Sequence, residues 1–243
     1  MQIIKLSATE STNTYLKELA SVKNLADLTV VVTENQTKGR GQMNGLWESE
    51  QGKNLTFSVL KKINNLAIQD QFLISICVSL AVYKTLIALK IPDVKVKWPN
   101  DILSGNFKIC GILIENSISG FRITSSVIGI GLNVNQITFE NQPKAASLYS
   151  LLGKEIDLEN LLKTILTNLE VYLSNISSNN WNSLLYEYHP ILFKKDMLSQ
   201  FVLENDTVFS GTILGVTKEG KLRIRLEGDR VREFALKEIS LRY

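Results

Sequence analysis

Gly39-Arg40-Gly41 lies inside a polar, basic stretch, Gln36 to Lys53, enclosed by two apolar runs. A guanidinium between two residues without side chains can approach a ligand closely, with backbone amides beside it free to meet an anion. The stretch is far longer than a hairpin turn, and such segments inside compact domains are functional or disordered. Its plainer reading is a mobile surface loop carrying ordinary charge. Lys97-Trp98-Pro99-Asn100-Asp101 puts a cation, a large ring and a carboxylate at one strand end, or else forms a capped turn over a packed aromatic. Lys108 leads into the apolar run Ile109 to Glu115, where it either snorkels or meets a negative ligand in a cleft. Ser11-Thr12-Asn13 offers hydroxyls and an amide at a helix start, as a simple cap with Ser11 at the N-cap or as a polar site for a neutral ligand.

Two nucleotide motifs come close and fail. Gly45 to Lys53 ends in Gly-Lys, but Asn54 stands where a phosphate loop needs Ser or Thr. Gly129-Ile130-Gly131 lacks the third glycine of a dinucleotide fingerprint. The single His189, followed by Pro190, leaves no His/Cys zinc cluster and argues against a histidine-based hydrolase.

These residues need a sheet to hold them. Gln2 to Leu6, Val30 to Thr33 and Leu55 to Leu60 read as strands, as do Val94 to Trp98, Lys108 to Glu115 and Phe121 to Gly131. Long apolar strands joined by short turns describe a mixed or antiparallel sheet covered on at least one face. Helices are expected from Ser11 through Ser21, at Gln69 to Leu89 with an apolar stripe for the sheet, and at Ala145 to Leu152, Asp157 to Ile176 and Trp181 to Tyr188. From Asp196 the pattern turns to short strands with turns at Glu204-Asn205-Asp206, Lys218-Glu219-Gly220 and Glu227-Gly228-Asp229, a small β-barrel-like second domain.

A chain of 243 residues can bury a sizeable core, suiting one large domain and a small one. No apolar run reads as long enough to span a membrane, and Met1 to Leu6 reads as a strand rather than a leader. The expectation is a cytoplasmic protein whose Cys77 and Cys110 are reduced structural thiols. A net charge of +3 is too mild to imply nucleic acid. Lys221, Arg223, Arg225, Arg230 and Arg232 could form a phosphate-tracking face, but Glu219, Glu227, Asp229, Glu233 and Glu238 lie among them and no aromatic run stacks bases.

Taken in order, the chain resembles a biotin protein ligase. The resemblance rests on Glu10-Ser11-Thr12-Asn13, Gln36 with Lys38-Gly39-Arg40-Gly41, Trp47, Lys97 to Asp101, Lys108 with Gly111 to Glu115, and Gly129 to Val134, with Glu238 to Arg242 matching more loosely. It implies an α+β fold: a mixed, class II synthetase-like sheet flanked by helices over residues 1–192, and an SH3-like β domain over 193–243. It also implies adenylation of biotin by ATP and transfer to a lysine of a biotin carboxyl carrier domain. Ser11, Thr12, Asn13 and Gln36 would meet the ureido ring, with Gly39, Gly41 and Gly111 allowing close approach. Arg40 and Lys108 would hold the carboxylate and α-phosphate. Lys97, Asn100, Asp101 and Asn133 would lie at the nucleotide, and Trp47 would close over adenine as the loop orders. Mg²⁺ would come with ATP, with Asp101 as one candidate contact.

Two departures accompany the resemblance. Gln42 stands where the family often has a second arginine, which bears on retention of the adenylate. Ser11 lies close to the start, so the catalytic-domain-only type is expected, with no DNA reader, no DNA or membrane partner, and monomer or homodimer left open. A lipoate protein ligase-like enzyme and, more distantly, a nucleic-acid-binding module are the alternatives.

Overall fold

Period-two alternation builds the main sheet. In Leu55-Thr56-Phe57-Ser58-Val59 and in Ile128-Gly129-Ile130-Gly131-Leu132, large apolar residues fall on one face and glycine or polar residues on the other. The computed structural model describes all residues except 43, 44, 141, 175 and 177–179. β1 (Ile3–Thr9), β2 (Thr29–Gln36), β3 (Leu55–Ala67), β4 (Val94–Lys97), β5 (Asp101–Ser104), β6 (Phe107–Ser119) and β7 (Arg122–Leu132) form a sheet of order β1-β2-β3-β7-β6-β5-β4. Only β1 and β2 run parallel within it, joined by α1 (Thr12–Val22).

The apolar face packs on α2 (Phe72–Ala88), with α4 (Leu158–Ser174) and α5 (Trp181–Tyr188) behind it; α3 (Leu148–Leu152) is a single short turn. On the opposite face α1 covers a smaller cluster of Leu16, Leu25, Val31, Leu60 and Val127. The remainder of that face is left for a ligand.

A second sheet, all antiparallel, gathers β8 (Leu198–Leu203), β9 (Val208–Val216), β10 (Leu222–Arg225), β11 (Val231–Phe234) and β12 (Ile239–Arg242) in the order β11-β10-β9-β8-β12. Phe209 stacks between Phe201 and Phe234, at 5.4 and 5.5 Å. Trp98 Nε1 donates to Gly220 O at 2.9 Å, and Val216 N donates to His189 Nε2 at 3.2 Å. Both bonds tie the two sheets together. The α+β class, with a mixed sheet and a second antiparallel unit consistent with an SH3-like one, is as expected.

Several local expectations are corrected. α2 is buried nearly all round rather than along a stripe, because helices lie on one side of it and the sheet on the other. Ile68 to Ala88 does have the length and composition of a spanning helix, and it is the core that takes up those apolar residues. The helix expected from Ala145 starts at Leu148, where Ser147 and Ser150 exchange a capping box. Asp101 opens a strand paired with Lys97, and β2 and β3 run on well beyond the expected Thr33 and Leu60. Ser11 precedes α1 but its side chain makes no cap. Gln36 Oε1, at the end of β2, accepts from Thr12 N at 2.8 Å and Thr12 Oγ1 at 3.1 Å instead.

Candidate functional site

The strand register converts alternation into a cavity floor. Ser58 pairs with Gly129 and Gly129 with Leu113, while Thr56 pairs with Gly131 and Gly131 with Gly111. The face away from α2 therefore carries glycines and small polar groups, with Leu113 among them. A cavity of about 430 Å³ opens above it, walled by the start of α1, Arg40 to Gln42 and Gly45 to Trp47, the β4–β5 turn and one side of the second sheet. It brings together Ser11, Thr12, Asn13, Gln36, Arg40, Gly41, Trp47, Lys97, Asn100, Asp101, Lys108 and Gly111.

One end is neutral and hydrogen-bonded. Ser11, Thr12 and Asn13 are all buried, at 4, 4 and 2% exposure. Asn13 Nδ2 donates to Glu115 Oε2 at 2.8 Å and Leu113 O at 3.2 Å. Ser58 Oγ stands 2.6 Å from Asn13 Oδ1 and 2.7 Å from Thr12 Oγ1. Both amide hydrogens of Asn13 are thus committed, and its oxygen keeps one lone pair for a ligand donor. Ser58 and Glu115 were given no role by sequence reasoning. The signal for Ser58 was its place in Thr56-Phe57-Ser58-Val59, a polar residue on the face opposite the core.

The other end is cationic. Lys108 Nζ lies 2.6 Å from Asp101 Oδ1 and Lys97 Nζ lies 3.6 Å from Asp101 Oδ2, two ammoniums on one carboxylate. Asn100 fastens the turn to β6, its Nδ2 donating to Ile112 O at 2.9 Å and its O accepting from Ile112 N at 3.0 Å. Arg40 lines the same cavity but is paired with a different carboxylate, Glu115, at 2.8 Å. Burial alone would raise the Glu115 carboxyl. Donors from Asn13 and Lys17 and the Arg40 charge outweigh burial and hold it below the usual carboxylate range.

Trp47 closes over the floor. Its indole lies against Gly131 and Gly111, so closely that a Cβ at Gly111 would stand 3.0 Å from the ring and one at Gly131 nearer still. Lys108 Nζ is 5.6 Å from the ring centroid, and Trp47 Nε1 is buried with no acceptor among the described residues. The loop that carries it is held by Trp47 N to Gly39 O at 3.0 Å and Gly41 N to Gly45 O at 2.6 Å.

Two expected residues stand outside the cavity wall. Gly39 lies beneath the main chain of Trp47, where any side chain would collide. Asn133 is 2% exposed, and its amide is used by Ala146 O at 3.1 Å and Lys108 O at 3.5 Å. It holds Lys108 from behind rather than facing a ligand.

Chemically, a neutral donor-and-acceptor end and a cationic end on one glycine floor suit a ligand with a polar uncharged head and a reacting anionic tail. A model described as the biotin/lipoate A/B protein ligase family matches residues 6–133. The chain is 31% identical over 223 residues to the bifunctional ligase/repressor BirA of Bacillus spizizenii, covering 89% of this chain and 67% of that protein. It is 31% identical over 172 residues to the biotin–[acetyl-CoA-carboxylase] ligase of Mycobacterium tuberculosis, covering 70% and 63%. A biotin protein ligase from Aquifex aeolicus solved with biotin and ATP is similar with a TM-score of 0.81 and 26% identity, over 99% of this chain and 98% of that one.

Proposed function

This chain belongs to the biotin/lipoate A/B protein ligase family, and we propose that it is an ATP-dependent biotin protein ligase. It adenylates biotin to biotinyl-5'-AMP with release of pyrophosphate, then passes the biotinyl group to a lysine of a biotin carboxyl carrier domain. The observation that carries this reading is the network of buried Thr12, Asn13 and Ser58 with half-buried Gln36, facing the Lys97, Asp101 and Lys108 cluster across one cavity. A cyclic urea has N–H donors and a carbonyl acceptor for such a network. The dithiolane of lipoate has neither and would leave buried groups unpaired, which a polar site discriminates against strongly.

In this reading Ser11, Thr12, Asn13 and Gln36 bind the ureido ring, and Gly41 and Gly111 let it lie close to the backbone. Lys108 and Arg40 hold the biotin carboxylate and α-phosphate together as a carboxylate oxygen attacks phosphorus and pyrophosphate leaves. Lys97 and Asp101 flank them, Asn100 fixes their turn, and Trp47 keeps water from the mixed anhydride. The carrier amine then attacks the acyl carbon, AMP departs and the amide forms as the amine loses its proton. Mg²⁺ bound with ATP would supply charge shielding of the triphosphate. Asp101 already faces two lysines, and no cluster of three His, Cys, Asp or Glu occurs among the described residues.

We place the enzyme in the cytoplasm, in keeping with two buried, unpaired thiols, of which Cys77 is pushed up to about 12 by burial. Residues 1–192 form the catalytic part and 193–243 an appendage whose apolar residues merge into the same core. ATP–pyrophosphate exchange with biotin and then lipoate tests the reading. Exchange with biotin alone is expected; exchange with lipoate alone, or with neither, would overturn it.

A further inference from the structure

Tyr243, immediately after β12, was not among the residues expected to act, yet it sits at the cationic end. Its ring meets the Phe193 ring edge-on at 5.2 Å, with Lys144 Nζ 4.2 Å and Lys97 Nζ 5.3 Å from its centroid. Lys144 Nζ also donates to the main-chain oxygen of Tyr243. The backbone of Lys144 reaches the reaction residue directly: Lys108 N donates to Lys144 O at 2.6 Å, and Ala146 N donates to Lys108 O at 3.0 Å. Burial, and then the nearby Asp101 charge, push the Tyr243 phenol up.

An aromatic ring differs from a carboxylate as a holder of lysines. Asp101 fixes Lys108 and Lys97 while cancelling charge that a phosphate would use. The negative face of a ring attracts an ammonium without adding a negative charge of its own to compete with an incoming anion. It also restricts a long side chain that would otherwise wander and that a second ammonium would repel. We propose that Tyr243 is a positioning residue for adenylation, its ring holding Lys144 together with Lys97, which Asp101 also meets, towards the nucleotide phosphates. The second sheet is thereby part of the nucleotide site, joined to it through one side chain.

The inference rests on reading the cavity as an adenylation site, and its test separates the two. Biotin-dependent pyrophosphate release is measured with MgATP and biotin varied in turn, for wild type, Tyr243→Leu, Tyr243→Phe, Lys144→Met and the Tyr243→Leu/Lys144→Met double variant, with melting curves for each. Tyr243→Leu is expected to raise KM for MgATP roughly 5- to 30-fold, as two cation–ring contacts are lost, with KM for biotin little changed. Tyr243→Phe, which keeps the ring, restores the MgATP value. The double variant falls short of the product of the single effects, because the two residues act through one contact. Equal loss for both substrates, or failure of Phe to restore, would overturn the inference, as would a folded Tyr243→Leu with unchanged KM for MgATP. A wild-type chain that releases no pyrophosphate with biotin would instead sink the reading of the cavity.

Discussion

Gly129→Ala offers a test of the neutral end that touches neither a charge nor a ligand-facing side chain. A Cβ built on Gly129 stands 3.0 Å from Asn13 Cγ and closer still to Oδ1, where ordinary contact begins at 3.4 Å. An exposed Asn would swing aside at small cost. Asn13 is pinned by Glu115 and Leu113 O, at 2.8 and 3.2 Å, and by Ser58 at 2.6 Å, and it borders the cavity. Its retreat stretches the Glu115 bond past useful length, giving up about 1.5–3 kcal/mol for a charge-assisted bond. Some of that is recovered by the added β-propensity of Ala over Gly in a strand, roughly 0.5–1 kcal/mol. Net destabilisation should therefore be about 1–2 kcal/mol, and the fold should survive. Ligand affinity suffers separately, because the displaced amide no longer presents its free lone pair and intrudes on the ligand's space. A misplaced neutral hydrogen bond at a buried site costs about 1–3 kcal/mol, roughly 5- to 150-fold in Kd. Isothermal titration with biotin, alongside urea unfolding, measures both quantities. A folded Gly129→Ala that binds biotin as wild type does would refute the claim that Asn13 is locked in a ligand-recognising position.

Two further outcomes are expected. Lys108→Ala should stay folded by circular dichroism, since Lys97 remains within 3.6 Å of Asp101. It should lose on the order of 2–4 kcal/mol of transition-state stabilisation in biotin-dependent pyrophosphate release. Near wild-type release would move the phosphate contact to Arg40 or Lys97. His189 is held below its ordinary 6.5 chiefly by burial, so the unfolded chain binds the proton more readily. Stability should consequently fall as pH drops below about 6.5, and urea midpoints compared between about pH 7.5 and 5.5 should show a steeper loss for wild type than for His189→Gln. Parallel losses in the two proteins would remove His189 from that account.

The strands and their two faces are written in the short periods of the chain. Alternation in Thr56-Phe57-Ser58-Val59 and Ile128 to Leu132 dictates strands with one large apolar face and one bare face, because successive side chains must point to opposite sides. The breaks at Gly39-Arg40-Gly41 and Pro99-Asn100-Asp101 marked where chain would leave the sheet and carry chemistry, and most of those residues do line one cavity. Only the tertiary structure decided the pairings. That Gln36 rather than Ser11 caps α1, and that Arg40 meets Glu115 while Lys108 meets Asp101, depends on strand register across separations of 24, 75 and 7 residues. Nothing in the local pattern of α2 says that a second helical layer will cover it, so a stripe was expected where burial is nearly complete. Tyr243 carried no signal at all, since its ring reaches Lys97 and Lys144 only once the second sheet has docked through Trp98 and His189. Contacts of that kind are set by how whole layers pack, which short-range spacing does not encode.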